Sequence, residues 1–148
     1  MARFELSRTL PLSPAECWER VTDWPRHGAG VPLTRVFASR GTGLAVGDVV
    51  TARTSVGPVG FGDPMEIMVM RPPGPGRDGL CRLLKRGAVV HGWAELRVRA
   101  SGSGSGDGGA EVGWLEEIRV AGLPRLADPL LERAGRRVFG RVLDRLLS

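Results

Sequence analysis

Residues 33–122 form a succession of short alternating segments separated by glycine and proline. Alternation of apolar and polar residues with a period of two is typical of half-buried strands. Such segments occupy residues 33–39, 46–56, 61–70, 80–85, 89–100 and 111–120. Residues 3–10 alternate in the same way and predict an earlier strand, while the glycine- and serine-rich residues 101–109 predict a hairpin loop. Consecutive strands with short connections favour an antiparallel sheet.

A helix start follows the first predicted strand. Ser13 and Glu16 have the spacing of a capping box, and Pro14 between them suits the first position of a helix. The helix is predicted to end before Pro25, because proline disfavours helical geometry in the residue that precedes it. Residues 24–28 predict one further short turn.

The last segment of the chain has the apolar period of an amphipathic helix. Its start is open: either Asp128 caps a helix that begins at Pro129, or an earlier turn from Pro124 is kinked there. Gly135 lies at the edge of the apolar face and is expected to make room for a strand, a bend or a ligand. The predicted apolar face consists of Ala127, Leu131, Ala134, Val138 and Val142.

A sheet followed by one long helix predicts an α+β chain in which the sheet curls around the helix. Because such a sheet bends away from the helix at one end, the arrangement favours a cavity suited to a small apolar molecule. The length of 148 residues predicts a single domain that spans residues 1–148.

Composition excludes several classes of function. The net charge is +5, but the arginines are spread along the chain and aromatic residues make up only 5%, so no nucleic-acid partner is expected. The chain shows no signal peptide and no apolar run long enough for integral membrane association, so a cytoplasmic location is expected. Cys17 and Cys81 predict reduced, buried thiols.

The order of elements and several local motifs together resemble the START/Bet v 1-like (SRPBCC) superfamily, and most closely its polyketide cyclase/dehydrase and lipid-transport group. The residues that carry the resemblance are 12–18, 21–25, 53–54, 57–58, 60–63, 65–67, 72–73, 114–117 and 123–125. The resemblance implies a helix-grip fold: a curved antiparallel sheet of six to seven strands around a long C-terminal helix, with one or two short helices after the first strand. It further implies a hydrophobic, lipid- or polyketide-like ligand, because members of the group bind or carry such molecules and some cyclise or dehydrate polyketides.

Alternation assigns the faces of the predicted strands. Met65, Ile67 and Val69 are expected to point inward, as are Trp114 and Glu116. The predicted ligand-binding residues are therefore Arg53, Met65, Ile67, Trp114, Glu116, Leu131, Ala134 and Val138.

An inward carboxylate is costly unless it is paired or protonated, so two interpretations of Glu116 stand side by side. It serves either as a catalytic general acid or base, or as the partner of an inward arginine such as Arg53. His27 and His91 are further candidates for proton transfer, and Asp63 is expected to bond local backbone amides after a glycine-rich turn. No metal site and no cofactor are predicted, since the two histidines lack neighbouring cysteine ligands.

The sequence thus predicts the binding or transport of a small hydrophobic molecule in a cavity between the sheet and the C-terminal helix. The alternative is an enzyme of the cyclase or dehydratase type in which Glu116 or a histidine transfers a proton. A monomer or homodimer is expected in either case.

Overall fold

The computed structural model describes residues 1–101 and 108–148. Most of the predicted hairpin loop at 101–109 therefore lies outside the described residues. The elements are strand β1 (Ala2–Leu10), helices α1 (Pro14–Val21) and α2 (Trp24–His27), a 3-10 turn (Gly28–Gly30), strands β2 (Thr34–Arg40), β3 (Val49–Val56), β4 (Val59–Arg71), β5 (Gly79–Lys85), β6 (Val90–Ala100) and β7 (Ala110–Val120), a second 3-10 turn (Arg125–Ala127) and helix α3 (Asp128–Leu147).

The seven strands form one antiparallel sheet in the order β1-β7-β6-β5-β4-β3-β2. Strands β2 to β7 are neighbours in the order in which they occur in the chain. Strand β1 forms one edge of the sheet and pairs with β7, so that Leu6 lies opposite Trp114. This arrangement confirms the predicted α+β helix-grip architecture.

A bulge in β4 changes which face its last residues occupy. Ile67 pairs with Leu83 and Val69 pairs with Arg82, so Met68 is an extra residue in this strand. An inserted residue reverses the alternation beyond it. Ile67 is accordingly buried, but the expectation that Val69 points inward is wrong: Met70 packs against the core in its place.

The ends of the helices follow from their sequences. Ser13 caps α1 by accepting a hydrogen bond at 3.2 Å from the backbone N–H of Glu16, as the capping box predicts. Helix α3 begins at Asp128 and is continuous with the preceding 3-10 turn. Asp128 does not cap α3; its carboxylate instead accepts a hydrogen bond at 2.9 Å from the N-terminal amine of Met1. Within the described residues, no helix has the length and hydropathy required to cross a membrane.

Helix α3 is rotated relative to the predicted apolar face. The side that packs on the protein carries Gly135 and Gly140, whereas Ala134 is exposed and Leu131 is only half-buried. The rotation has a steric cause, since a glycine lets the helix backbone approach the sheet more closely than an alanine can. Towards the end of the helix the buried residues are Val142, Leu143, Leu146 and Leu147.

Gly135 makes room for a strand, one of the roles expected of it. The ring of Phe4 on β1 lies against the Gly135 backbone, so that a Cβ atom at this position would overlap Phe4 Cε1 and Cδ1. Phe4 is only 1% exposed and stacks on Phe139 with ring centroids 5.5 Å apart, so it has little freedom to move aside. This contact fixes the distance between α3 and the β1 edge of the sheet.

The two helix glycines therefore respond oppositely to the same substitution. Gly140→Ala is expected to stabilise the protein by about 0.5–1 kcal/mol, since alanine favours helix and its Cβ meets only the flexible end of Arg8, at 3.4 Å. Gly135→Ala is expected to destabilise by about 1 kcal/mol or more, because overpacking against Phe4 exceeds the propensity gain. Urea denaturation of both variants measures the two changes in the free energy of unfolding. Equal stabilisation by both substitutions would contradict the Phe4 contact.

Candidate functional site

A cavity of about 190 Å³ lies between the inner face of the sheet and α3. Its wall is predominantly apolar, with side chains from strands β2 to β7 and from helices α2 and α3. Four aromatic residues contribute: Trp24, Phe61, Trp114 and Phe139. Representative aliphatic residues are Val36, Ala52, Leu83, Ala94 and Val138.

The position of the cavity follows from how α3 meets the sheet. The helix packs against β1, α1, α2 and the Gly28–Gly30 turn. Strands β2 and β3 lie at the opposite edge of the sheet from β1. Their side chains that face the cavity are small, namely Thr34, Val36, Ala52 and Thr54. Because α3 is held at the β1 edge, these short side chains at the other edge leave a space beneath the helix that the protein does not fill.

Three ionisable side chains meet at the wall of this cavity. Lys85 Nζ on β5 lies 2.6 Å from Asp63 Oδ2 on β4 and 3.1 Å from Glu116 Oε1 on β7. The lysine also lies 3.6 Å from Met65 Sδ. Their side chains are 3%, 13% and 2% exposed for Lys85, Asp63 and Glu116, so the cluster is shielded from water.

The carboxylates hold Lys85 in its charged form. Burial alone lowers the pKa of this lysine, but the opposing attraction of Glu116 and Asp63 is larger and raises its pKa above the ordinary value. With both carboxylates ionised, the cluster carries one more negative than positive charge.

Both oxygens of Glu116 are already engaged. Oε1 lies at the Lys85 ammonium, and Oε2 accepts a hydrogen bond at 3.0 Å from the indole N–H of Trp114. The structure places Glu116 inside, as alternation along β7 indicates, but it corrects the expected partner. Arg53 is exposed on the outer face of β3, because its neighbours Ala52 and Thr54 are the residues that face the cavity.

Asp63 does not play the local role that its glycine-rich turn indicates. Its carboxylate pairs with Lys85, which is 22 positions further along the chain, rather than with nearby backbone amides. Oδ1 of Asp63 is buried and has no hydrogen-bond partner among the described residues. An unpaired buried oxygen of this kind is unfavourable and calls for an explanation.

His27 is the second polar group in the wall. It is buried at the end of α2, with its ring centroid 5.0 Å from that of Trp24 and 5.7 Å from that of Trp114. Its Nε2 lies 2.7 Å from the Val21 carbonyl oxygen. Burial lowers the pKa of His27 to about 4, an effect that the bond to Val21 only partly opposes, so the imidazole is neutral at pH 7. His91 does not line the cavity; it contacts the Ala88 carbonyl at 3.1 Å instead.

The remaining predicted site residues divide into two groups. Met65, Trp114 and Val138 line the cavity together with Glu116. The others do not line it: Arg53 and Ala134 are exposed, Leu131 is half-buried and Ile67 is fully buried in the core.

The predicted site omits Lys85, although the sequence contains a signal for this residue. It is the only lysine in a chain whose other basic residues are arginines, and it continues the inward alternation of Cys81 and Leu83 along β5.

The cysteines are free and buried, as predicted. Burial raises the pKa of the Cys81 thiol to about 12, so this thiol is protonated and unreactive at pH 7. In residues 1–101 and 108–148, no three His, Cys, Asp or Glu side chains are grouped so as to hold a metal ion.

His27 makes stability depend on pH. Its pKa is about 4 when folded and near 6.5 when unfolded, so the unfolded state binds more protons between these values. The free energy of unfolding is therefore expected to fall as the pH drops from 6.5 to 4, by about 3 kcal/mol from this group. His27→Gln keeps a donor for Val21 but does not titrate, and it should remove that part of the decline. Urea denaturation across this pH range measures both proteins; parallel profiles would contradict a neutral buried His27.

Comparison with known proteins gives matches at the level of structure. No protein-family model and no curated protein matches the sequence. Among solved structures, the chain is similar to the ZhuI aromatase/cyclase from Streptomyces sp. R1128, with a TM-score of 0.64 and 19% identity over 98% of this chain and 90% of that one. It is also similar to the protein XoxI from Bacillus cereus, with a TM-score of 0.64 and 15% identity over 99% and 94%. A third similar structure is Ara h 8.0201, with a TM-score of 0.57 and 13% identity over 98% and 97%.

At such low identities the likeness speaks for the fold alone. Each match nevertheless spans almost the whole of both chains, so the shared fold extends over nearly the full length of this chain. The chain therefore has the helix-grip fold of the START/Bet v 1-like proteins, as its sequence predicts.

Proposed function

We propose that this protein binds a small apolar molecule in the cavity between the sheet and α3, as a binding or carrier protein. The observation that carries the proposal is the cavity itself: an apolar, aromatic-rich space with one polar cluster in its wall. Ligand sites commonly combine an apolar lining with a few oriented polar groups that give selectivity. The cytoplasmic location and the monomeric or homodimeric state expected from the sequence are part of this proposal.

The size of the cavity favours a compact ligand. Its volume of about 190 Å³ lies below the range of roughly 300–1,000 Å³ that is usual for sites of drug-sized ligands. A body of one or two rings, or a short branched chain, suits this volume better than a full lipid. Burial of apolar ligand surface would supply about 25 cal/mol per Å² before the costs of association.

Catalysis is the alternative, and the geometry favours it less. One structural neighbour is an aromatase/cyclase, but the likeness to it is one of fold. The proposed proton-transfer group Glu116 has both oxygens engaged, and the lowered pKa of His27 makes this imidazole a weak base at pH 7. His91 lies away from the cavity. These observations support binding over proton transfer by any of the three residues.

Filling the cavity is expected to abolish binding. Val138→Trp places a large ring in the space, whereas Ala134→Trp adds the same ring one turn earlier, on the exposed side of α3. We expect Val138→Trp to weaken the uptake of naphthalene by about tenfold or more and Ala134→Trp to leave it unchanged. Equilibrium dialysis with naphthalene measures both affinities. Unchanged uptake by the Val138 variant would place the binding site elsewhere.

A further inference from the structure

We propose that the bound molecule presents a hydrogen-bond donor, a hydroxyl or a protonated amine, to the carboxylate of Asp63. This inference rests on the proposed function and adds the polarity of the ligand to it. Within the described residues, the wall of the cavity holds an unpaired acceptor, whereas its side-chain donors have protein partners, so the wall complements a donor better than an acceptor.

The side-chain donors of the wall are all committed to protein partners in the part of the chain that the structure describes. Lys85 contacts two carboxylates and a thioether, as described above. The threonine pair uses both of its hydroxyl hydrogens when Thr34 donates to the Pro32 carbonyl and accepts from Thr54. The engaged pairs are Trp24 with the Gly43 carbonyl at 2.7 Å, Trp114 with Glu116 at 3.0 Å, His27 with the Val21 carbonyl at 2.7 Å, and Thr34 with the Pro32 carbonyl at 3.2 Å and with Thr54 at 2.9 Å.

One buried acceptor, in contrast, remains without a partner among the described residues. Asp63 lines the cavity, and its Oδ1 makes no hydrogen bond. The terminal torsion of an aspartate is soft, so the carboxylate can turn a free lone pair towards a ligand while Lys85 still holds the other oxygen.

The charge of the cluster supports the same assignment. Asp63 and Glu116 bring two carboxylates to a single ammonium, that of Lys85. The excess negative charge lies beside an apolar space where water does not screen it well. A donor hydrogen, and most of all a cationic one, offsets this charge, whereas a carbonyl or ether oxygen of a ligand would face it and be repelled.

Four probes that share a naphthalene ring and differ in their polar group distinguish ligand donors from ligand acceptors at pH 7. They are 2-naphthol with a hydroxyl, 2-naphthylmethylamine with an ammonium, 2-methoxynaphthalene with an acceptor only, and naphthalene with no polar group. Equilibrium dialysis gives the four dissociation constants. We expect the naphthol, the amine or both to bind at least about tenfold more tightly than the methoxy compound, since a hydrogen bond to a charged group is among the strong ones. The tighter of the two tells whether the natural donor is a hydroxyl or an ammonium.

Two variants test the assignment to Asp63. Asp63→Asn removes the charge and presents an amide, and it should abolish the preference for the donor probes over 2-methoxynaphthalene. The matched control is Glu66→Gln on the same strand, whose carboxylate pairs with the exposed Arg86 outside the cavity, and which should preserve the preference. Thermal denaturation checks that each variant folds. Should Asp63→Asn not fold, Asp63→Glu keeps the charge but displaces the oxygens, and it is expected to weaken 2-naphthol relative to 2-methoxynaphthalene.

The outcomes separate this inference from the function on which it rests. Equal affinities for 2-naphthol, 2-naphthylmethylamine and 2-methoxynaphthalene, with naphthalene still bound, would overturn the donor inference and leave the binding function standing. A preference that survives in Asp63→Asn, or in Asp63→Glu if that variant has to replace it, would overturn the role of Asp63. No binding of any probe would overturn the proposed function and the donor inference together.

Discussion

The close contact between α3 and β1 determines where this protein has empty space. Gly135 allows the ring of Phe4 to lie directly against the helix backbone, and the stack of Phe4 on Phe139 holds that arrangement. A straight helix that is anchored at one edge of a curved sheet cannot also follow the sheet to its other edge. The space that remains between α3 and strands β2 to β7 is the cavity, and the small side chains on β2 and β3 keep it open.

The polar cluster of Lys85, Asp63 and Glu116 is difficult to explain by stability alone. Burying charges costs free energy that their mutual attraction repays only when every partner is satisfied, and apolar replacements of a buried ion pair are often as stable. Here one carboxylate oxygen has no partner within the described residues, which makes the arrangement less favourable than a fully paired one. A cluster that is incomplete in the protein and lies in the wall of a cavity suits a role in recognising a ligand.

Much of the fold could be predicted from the sequence, because strand period, capping box and helix period are all local signals. The inward position of Glu116 followed from alternation along one unbroken strand. Alternation failed at Val69, because the register shift near Met68 depends on how β4 pairs with β5. The face of α3 was misassigned at Ala134 for a related reason: only the contact with Phe4, more than a hundred positions away, shows that the packing side carries Gly135.

The polar cluster was the least predictable part of the site. Its three residues come from β4, β5 and β7, and no spacing in the sequence brings them together. Arg53 was a reasonable partner for an inward glutamate by charge. Side chains alternate between the two faces of β3, however, and Arg53 lies on the outer face because Ala52 and Thr54 face the cavity. Alternation along β5 could have identified Lys85 as an inward residue. Only the folded sheet shows that its ammonium reaches across β6 to lie 3.1 Å from Glu116 on β7.

The proposed function requires that a compact apolar molecule enter the space between the sheet and α3. The most direct test is a crystal of the protein soaked with 2-bromonaphthalene and measured at the bromine absorption edge, where the anomalous signal locates the bromine atom. We expect one dominant bromine peak inside the cavity, among Trp114, Val138 and Ala52. Peaks confined to the outer surface, with the cavity unoccupied in a crystal that has taken up the compound, would contradict it.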